Sequence, residues 1–383
     1  MTLLAIIAGI ASCTLLIVQL GSLYVAFRRL NSPIHSSILK KTPHITLIRP
    51  LCGLDNFAEE LLLSCFKQDY PCYDILFCVA SAQDPVIPYV NRLIDCHPER
   101  SAKLLIGNDL ITKNPKLNNI EKAWQSTSAQ WIAMADSNLL LPPDYLRSLI
   151  LSFDEQDTGL VSSPAIGIRP ANLWGAVEAA LLNTHQARWQ FLSDAIGLGF
   201  AQGKTLFWHR DVLDRRGGLS ALGHELAEDV ASTKLVRDAG LKVHLTPRPF
   251  AQPIGERTLR AVWDRQLRWA RIRRLGFFWL FIPEILLGSV PVMASLMYLA
   301  HLQMIPWILP PAVFVLWYGA EWMVAKLLHW PHSARDVCAM IIRDMLLPLL
   351  WLWCWAGRSF VWHGNAMNSP ASVNVKEHKE MEH

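Results

Sequence analysis

The chain has 383 residues, 36 Lys and Arg against 32 Asp and Glu for a formal charge of +4, and 52% hydrophobic residues; its mean hydropathy is +0.22. That balance excludes an ordinary soluble protein, a disordered chain and a collagen-like repeat, and points to a membrane protein. Eight cysteines without a C-x-x-C pair exclude a disulfide scaffold and fit reduced thiols in a cytosol-facing protein.

The apolar excess is uneven, so the segments decide. Residues 3–27 hold no Asp, Glu, Lys or Arg, enough to cross a bilayer, and Arg28 and Arg29 follow at once. An N-terminal anchor over 1–28 is expected, with the chain leaving it on the cytoplasmic side. The charged start of a signal peptide is missing.

Residues 42–254 alternate short apolar runs with amphipathic ones. Strands are expected over 44–48, 75–80, 103–106, 131–135 and 160–163, and helices over 56–67, 85–96, 117–128 and 144–153. This alternation predicts an α/β domain built on a mostly parallel sheet, whose ligands sit at the carboxyl ends of strands. No G-x-G-x-x-G, Walker A or G-x-S-x-G sequence occurs, which weakens dinucleotide, P-loop and α/β-hydrolase readings.

The strand at 131–135 runs directly into Asp136, Ser137 and Asn138. A carboxylate there suits a divalent cation bound to a diphosphate, although the same three residues also make good turn chemistry. A second acidic group, Glu225, Glu228 and Asp229, comes after the Gly217-Gly218 pair. Neighbouring carboxylates raise one another's pKa and suit a general base, and they equally suit the first turn of a helix over 229–239. Residues 255–274 form a basic stretch containing Arg265-Gln266-Leu267-Arg268-Trp269. Its arginines can grip phosphate or meet anionic lipid headgroups; no nucleic-acid partner is expected.

Beyond it, 275–303 and 305–328 are expected as a pair of spans turning near 301–306, and 340–355, short and carrying Arg343, Asp344 and Pro348, as re-entrant or interfacial. More than half of the 16 Trp lie from Trp269 onward, as in an aromatic belt. The membrane region thus covers 275–362, with two to three C-terminal helices, and a polar tail occupies 363–383.

The order and spacing of Arg49-Pro50-Leu51-Cys52-Gly53-Leu54-Asp55, Asp69-Tyr70-Pro71, Asn114-Pro115-Lys116-Leu117-Asn118-Asn119, Asp136-Ser137, Ala227-Glu228-Asp229 and Arg265 to Trp269 resemble the membrane-anchored ceramide glucosyltransferase family, of GT-A fold, and its hopanoid-biosynthesis relatives. The resemblance implies a Rossmann-like nucleotide-sugar domain and an inverting transfer from a UDP-sugar to a lipid hydroxyl. It implies Asp229 as catalytic base and Asp136 at a Mg²⁺ or Mn²⁺ ion. Lys116, Arg265, Arg268, Trp269, Glu228 and Asp84 would lie on the substrates. Ser81 stands where the family pattern has its first acid, and His363 replaces the arginine of a W-R-G run. Ser81, together with the run Arg265 to Arg271 and Phe281-Ile282-Pro283-Glu284, resembles the hopanoid branch, which implies N-acetylglucosamine transfer to bacteriohopanetetrol in a bacterial inner membrane with the catalytic domain cytoplasmic. Ceramide with UDP-glucose is the alternative acceptor and donor. A tethered nucleotide-sugar-binding scaffold is the non-enzymatic one.

Overall fold

A computed structural model describes residues 3–32, 42–153, 157–357, 360–362 and 365–367; His363 and most of the expected polar tail lie outside them. Helix α1 (Leu3–Asn31) leads to β1 (Ile45–Leu51), α2 (Ala58–Leu63), β2 (Tyr73–Val79), α3 (Ile87–Cys96), β3 (Ala102–Ile106), α4 (Pro115–Ser126), β4 (Trp131–Ala135) and α5 (Tyr145–Ser152). Next come β5 (Thr158–Ser162), β6 (Ala165–Pro170), α6 (Leu173–Ala180), a π-helical stretch (Leu181–Ala187), α7 (Arg188–Ala195), β7 (Thr205–His209), α8 (Arg210–Asp214), α9 (Gly218–Leu222), α10 (Glu228–Asp238), β8 (Lys242–Leu245) and β9 (Phe250–Gly255). The basic helix α11 (Leu259–Gly276) and the short α12 (Phe278–Phe281) precede a 3-10 turn (Ile282–Leu286), α13 (Val290–His301), α14 (Leu309–Leu327) and α15 (Ala334–Cys354).

Seven strands form one sheet in the order β3-β2-β1-β4-β7-β5-β8, and β6 pairs with β9 in a second, two-stranded one. The first four strands are parallel, as expected from their near-continuous apolar runs; β1 is buried along its whole length. Strand β7, absent from the sequence expectations, enters antiparallel between β4 and β5. The chain leaves β1 toward β2 on one side and returns to β4 on the other, so the ends of β1 and β4 flank the switch point where α/β sheets bind ligands. Buried Arg49 on β1 donates to the carbonyls of Ser137 and Leu139 and so pins the loop after β4. Helix α4 starts where expected: Pro115 takes its first position and the Asn114 side chain accepts from the Lys116 N–H.

Among the described residues two helices, α1 and α15, are long and apolar enough to cross a membrane; α12 with its 3-10 turn and α13 reach that length only as a pair bent by 45°. The expected span over 275–303 is therefore broken. Conversely, the segment over 340–355 belongs to the continuous 21-residue α15, started by a Ser333–Asp336 capping box. Arg343 and Asp344, near the start of the segment expected to be re-entrant or interfacial, are buried inside the helix cluster. Arg343 bridges Glu321 of α14 at 2.9 Å and Asp344 at 2.7 Å and donates to Thr184 of the π-helix. Glu321 also accepts from Gln19 of α1 at 2.7 Å and faces Arg188 of α7 at 3.7 Å. Two positive and two negative groups thus neutralise one another where water is scarce. Arg343→Leu takes the cation from Asp344 and leaves Glu321 only the more distant Arg188, for an expected loss of about 3–5 kcal/mol, read as a lowered melting temperature of the purified protein in detergent.

Candidate active site

Lys116, the second residue of α4, reaches across the switch point. Its Nζ lies 2.6 Å from Asp136 Oδ1 and 2.7 Å from Glu228 Oε1, and donates to the Gly203 carbonyl at 2.6 Å. Asn114 donates to the other Glu228 oxygen at 2.9 Å, so the helix start and the acid at the head of α10 hold one another. Burial alone would lower the Lys116 pKa; Asp136 and Glu228 together raise it above the ordinary lysine value. Asp136 is the converse: burial opposes its charge, and Lys116 and Lys204 hold it ionised below the usual carboxylate range.

Asp229 faces different conditions. Burial first and the Glu228 charge second push its pKa up to about 6, against the Gly203 N–H, Lys116 and the Val230 N–H, which favour the ion. Its two oxygens accept from Gly203 N at 3.0 Å and Val230 N at 2.8 Å, which fixes the carboxylate. A Cβ at Gly203 would stand 2.9 Å from Glu228 Oε1, so a larger residue here has to displace that carboxylate oxygen from Lys116. One ionised acid beside the strand end and one poised near neutrality is the division of labour expected of separate charge-binding and proton-accepting groups.

The arginines of α11 come from the other side. Arg265 pairs with the buried Glu178 of α6, which also holds Arg257 at 3.3 Å. Half-buried Arg268 has its pKa lowered by burial and by Arg265, with Asp136 opposing. Trp269 packs on Ala179, Leu182 and Ile254, a wall behind the arginines. Asp84 is held in the loop after β2: its oxygens accept from Gly53 N (2.9 and 3.2 Å) and Val86 N (2.9 Å), tying that loop to the one after β1. Ser81 Oγ donates to its neighbour Gln83 on the exposed part of the same loop.

Sequence reasoning missed Lys204 and Glu178. Lys204 Nζ sits 3.6 Å from Asp136 Oδ2 and donates to Asn138 at 2.8 Å, and burial brings its pKa down to about 8. Together with Lys116, Arg265 and Arg268 it completes a cationic lining suited to a diphosphate. The signal available was a lysine next to a glycine just before an apolar strand, which is no signal until β7 is known to lie against β4.

Among the described residues no three His, Cys, Asp or Glu stand together as a metal cage. The donor set does fit a shared ion. Asp136 Oδ2 has its cation 3.6 Å away, outside hydrogen-bond reach, and the side chain is 27% exposed. Magnesium-type ions take one or two carboxylates and draw their other ligands from substrate phosphates and water.

A mostly parallel sheet with an acid at the β4 switch point, a fixed carboxylate at the head of α10 and a cationic lining between them define a glycosyltransferase of the GT-A type. The chain belongs to Glycosyl transferase family 21, whose model matches residues 3–371. It is 26% identical over 274 residues to "Ceramide glucosyltransferase 1" of Caenorhabditis elegans, covering 71% of this chain and 58% of that protein. With "Ceramide glucosyltransferase 3" of the same organism it shares 23% over 376 residues, 96% and 81% of the two chains. With the ceramide glucosyltransferase of Komagataella phaffii it shares 29% over 279 residues, 66% and 55%. The matches thus span little more than half of two of these relatives. The fold is similar to that of the mannosyltransferase of Pyrobaculum calidifontis solved with GDP-Man and Mn²⁺ (TM-score 0.52, 17% identity, 88% of this chain and 99% of that one).

Proposed function

We propose that the protein transfers a sugar from a UDP-sugar to the hydroxyl of a membrane lipid with inversion, in a cytoplasmic domain carried by an integral membrane protein. The observation that carries this is the Asp229 carboxylate, fixed by two N–H groups and poised near pH 6 beside the Lys116 cluster. Asp229 accepts the proton of the lipid hydroxyl as that oxygen bonds to the anomeric carbon. The bond from that carbon to the diphosphate breaks, and its electron pair goes to the departing phosphate oxygen. Lys116, Lys204, Arg265 and Arg268 offset the charge that grows there. A Mg²⁺ or Mn²⁺ ion held by Asp136 would supply further charge neutralisation on the diphosphate.

Two acceptors compete. Ser81 in place of an acid and the run Phe281-Ile282-Pro283-Glu284 favour bacteriohopanetetrol with UDP-N-acetylglucosamine, by resemblance to the hopanoid branch. The three curated relatives, all named ceramide glucosyltransferases, equally favour ceramide with UDP-glucose. Membranes containing the protein are to be given each labelled UDP-sugar with each lipid, and the lipid products identified by mass. Labelled hopanoid or labelled ceramide assigns donor and acceptor together; no labelled lipid in any combination overturns the proposal and favours the scaffold reading.

With the working substrates, kcat/KM is expected to rise about tenfold per pH unit below pH 6 and to level off above it, because only ionised Asp229 can accept the proton. A profile flat down to pH 5 would remove Asp229 from that role.

A further inference from the structure

Resting on that reading, we propose that the head of the acceptor lipid binds in the narrow cleft between α11, the π-helix, the α12 bend and α15. The cleft is tight: its enclosed space is about 20 Å³, room for a hydroxyl-sized group, and it opens outward. Its polar side is His185, Gln186 and Gln266; its apolar side is Phe281, Leu350 and Trp351.

The polar side is built and unfinished. Gln266 is only 4% exposed, its Oε1 accepts from Gln186 at 3.1 Å, and its Nε2 has no hydrogen-bond partner. A buried amide donor left unpaired is costly, and a hydroxyl oxygen in the cleft satisfies it. Burial and the nearby Arg343, Arg188 and Arg273 keep His185 neutral, so its ring can both donate and accept. A polyhydroxylated head matches such a pair better than a charged one does. Arg273 and Glu284 at the rim already neutralise one another at 2.9 Å.

The apolar side leads outward. Phe281 stacks on Trp351 with parallel rings 6.1 Å apart, and Trp355 continues the contact to Phe278. Beyond these rings Phe278, Trp279, Leu280, Leu349, Leu352 and Trp353 are exposed, a patch suited to acyl or polycyclic hydrocarbon. The cleft is also close to the base. A Cβ on Gly276 would lie 2.7 Å from Val230, so the end of α11 rests against the residue after Asp229. Arg273 and Ala270, which line the cleft, precede Gly276 by about 4.5 and 9 Å of helix rise.

The test uses the full chain in lipid nanodiscs and whichever of bacteriohopanetetrol and ceramide the wild type glycosylates. Gln266→Leu keeps the volume and removes the donor; Leu347→Trp, on another helix, narrows the cleft. Each is expected to raise the KM for the lipid about tenfold or more with the KM for the UDP-sugar within twofold. A lipid carrying a tail diazirine is expected to label α12 or α15, with labelling reduced in both variants. Unchanged lipid KM in both, or labelling confined to other segments, overturns the site. Absence of transfer to any lipid by the wild type would instead overturn the function on which it rests.

Discussion

Asp229→Asn is expected to lose about 10²–10⁴-fold in turnover while binding the UDP-sugar within twofold of the wild type, as read by titration calorimetry and a single-turnover assay. The carboxamide cannot take the hydroxyl proton, and the groups proposed to meet the diphosphate, Lys116, Lys204 and Arg268, stay in place. Near-normal turnover would exclude Asp229 as the base; loss of donor binding in parallel with turnover would recast it as a binding residue. The same variant carries a stability signature. Because the folded protein holds the Asp229 proton up to about pH 6 while the unfolded chain releases it near 3.8, folding binds protons between those values. Wild-type stability therefore falls as pH rises through that window and is flat above it, by roughly 3 kcal/mol at most. Asn removes this slope. Its amide must face either the Gly203 or the Val230 N–H, donor against donor, which costs about 1–3 kcal/mol at every pH. The diagnostic is thus the loss of pH dependence between 4 and 6, rather than a higher melting temperature.

Much of this site could be read from residues in order along the chain, because its acids stand where chain order alone is informative: Asp136 directly after an apolar strand and Asp229 in the first turn of a helix. Lys116 was marked only by the resemblance its Asn-Pro-Lys run carries, since chain order alone leaves it a helix-start lysine. The rest depends on approach between distant segments. Glu178 sits in an apolar helix 87 residues before Arg265, and only the packing of α6 on α11 makes it the residue that aims this arginine. Lys204 matters because β7 runs antiparallel beside β4, and the Lys204 carbonyl accepts from the Asp136 N–H at 3.0 Å. In the membrane region the sequence signal misled for an electrostatic reason. Arg343 and Asp344 near the start of a short apolar run pointed to a re-entrant or interfacial segment, whereas paired with Glu321 they lie inside the continuous α15. The bend after α12 was equally hidden, since Pro283 and Pro291 in an apolar run are compatible with either a kinked span or a broken one.

Lys116→Met should have the widest consequences of any single change, because one ammonium serves three functions. It neutralises Asp136, holds Glu228 at the head of α10, and keeps the Asp229 pKa from rising further. Methionine fills most of the volume and leaves Asp136 and Glu228 facing each other without a charge between them. Removing one partner of a buried ion cluster costs about 3–5 kcal/mol, so a clear drop in melting temperature is expected at pH 8. That drop should shrink as pH falls and the carboxylates take up protons. Turnover should fall at least about 100-fold through the lost charge on the diphosphate, and the acid limb of the residual activity should move above pH 6, since a positive neighbour of Asp229 is gone. Lys116→Arg should not rescue, because a planar fork cannot place one nitrogen against Asp136, Glu228 and the Gly203 carbonyl at once. Adding Glu228→Gln to Lys116→Met separates the functions: it removes the like-charge conflict and is expected to restore much of the stability but not the turnover. Full recovery of both would mean that Lys116 only balances Glu228. Recovery of neither would place its weight on Asp136 alone.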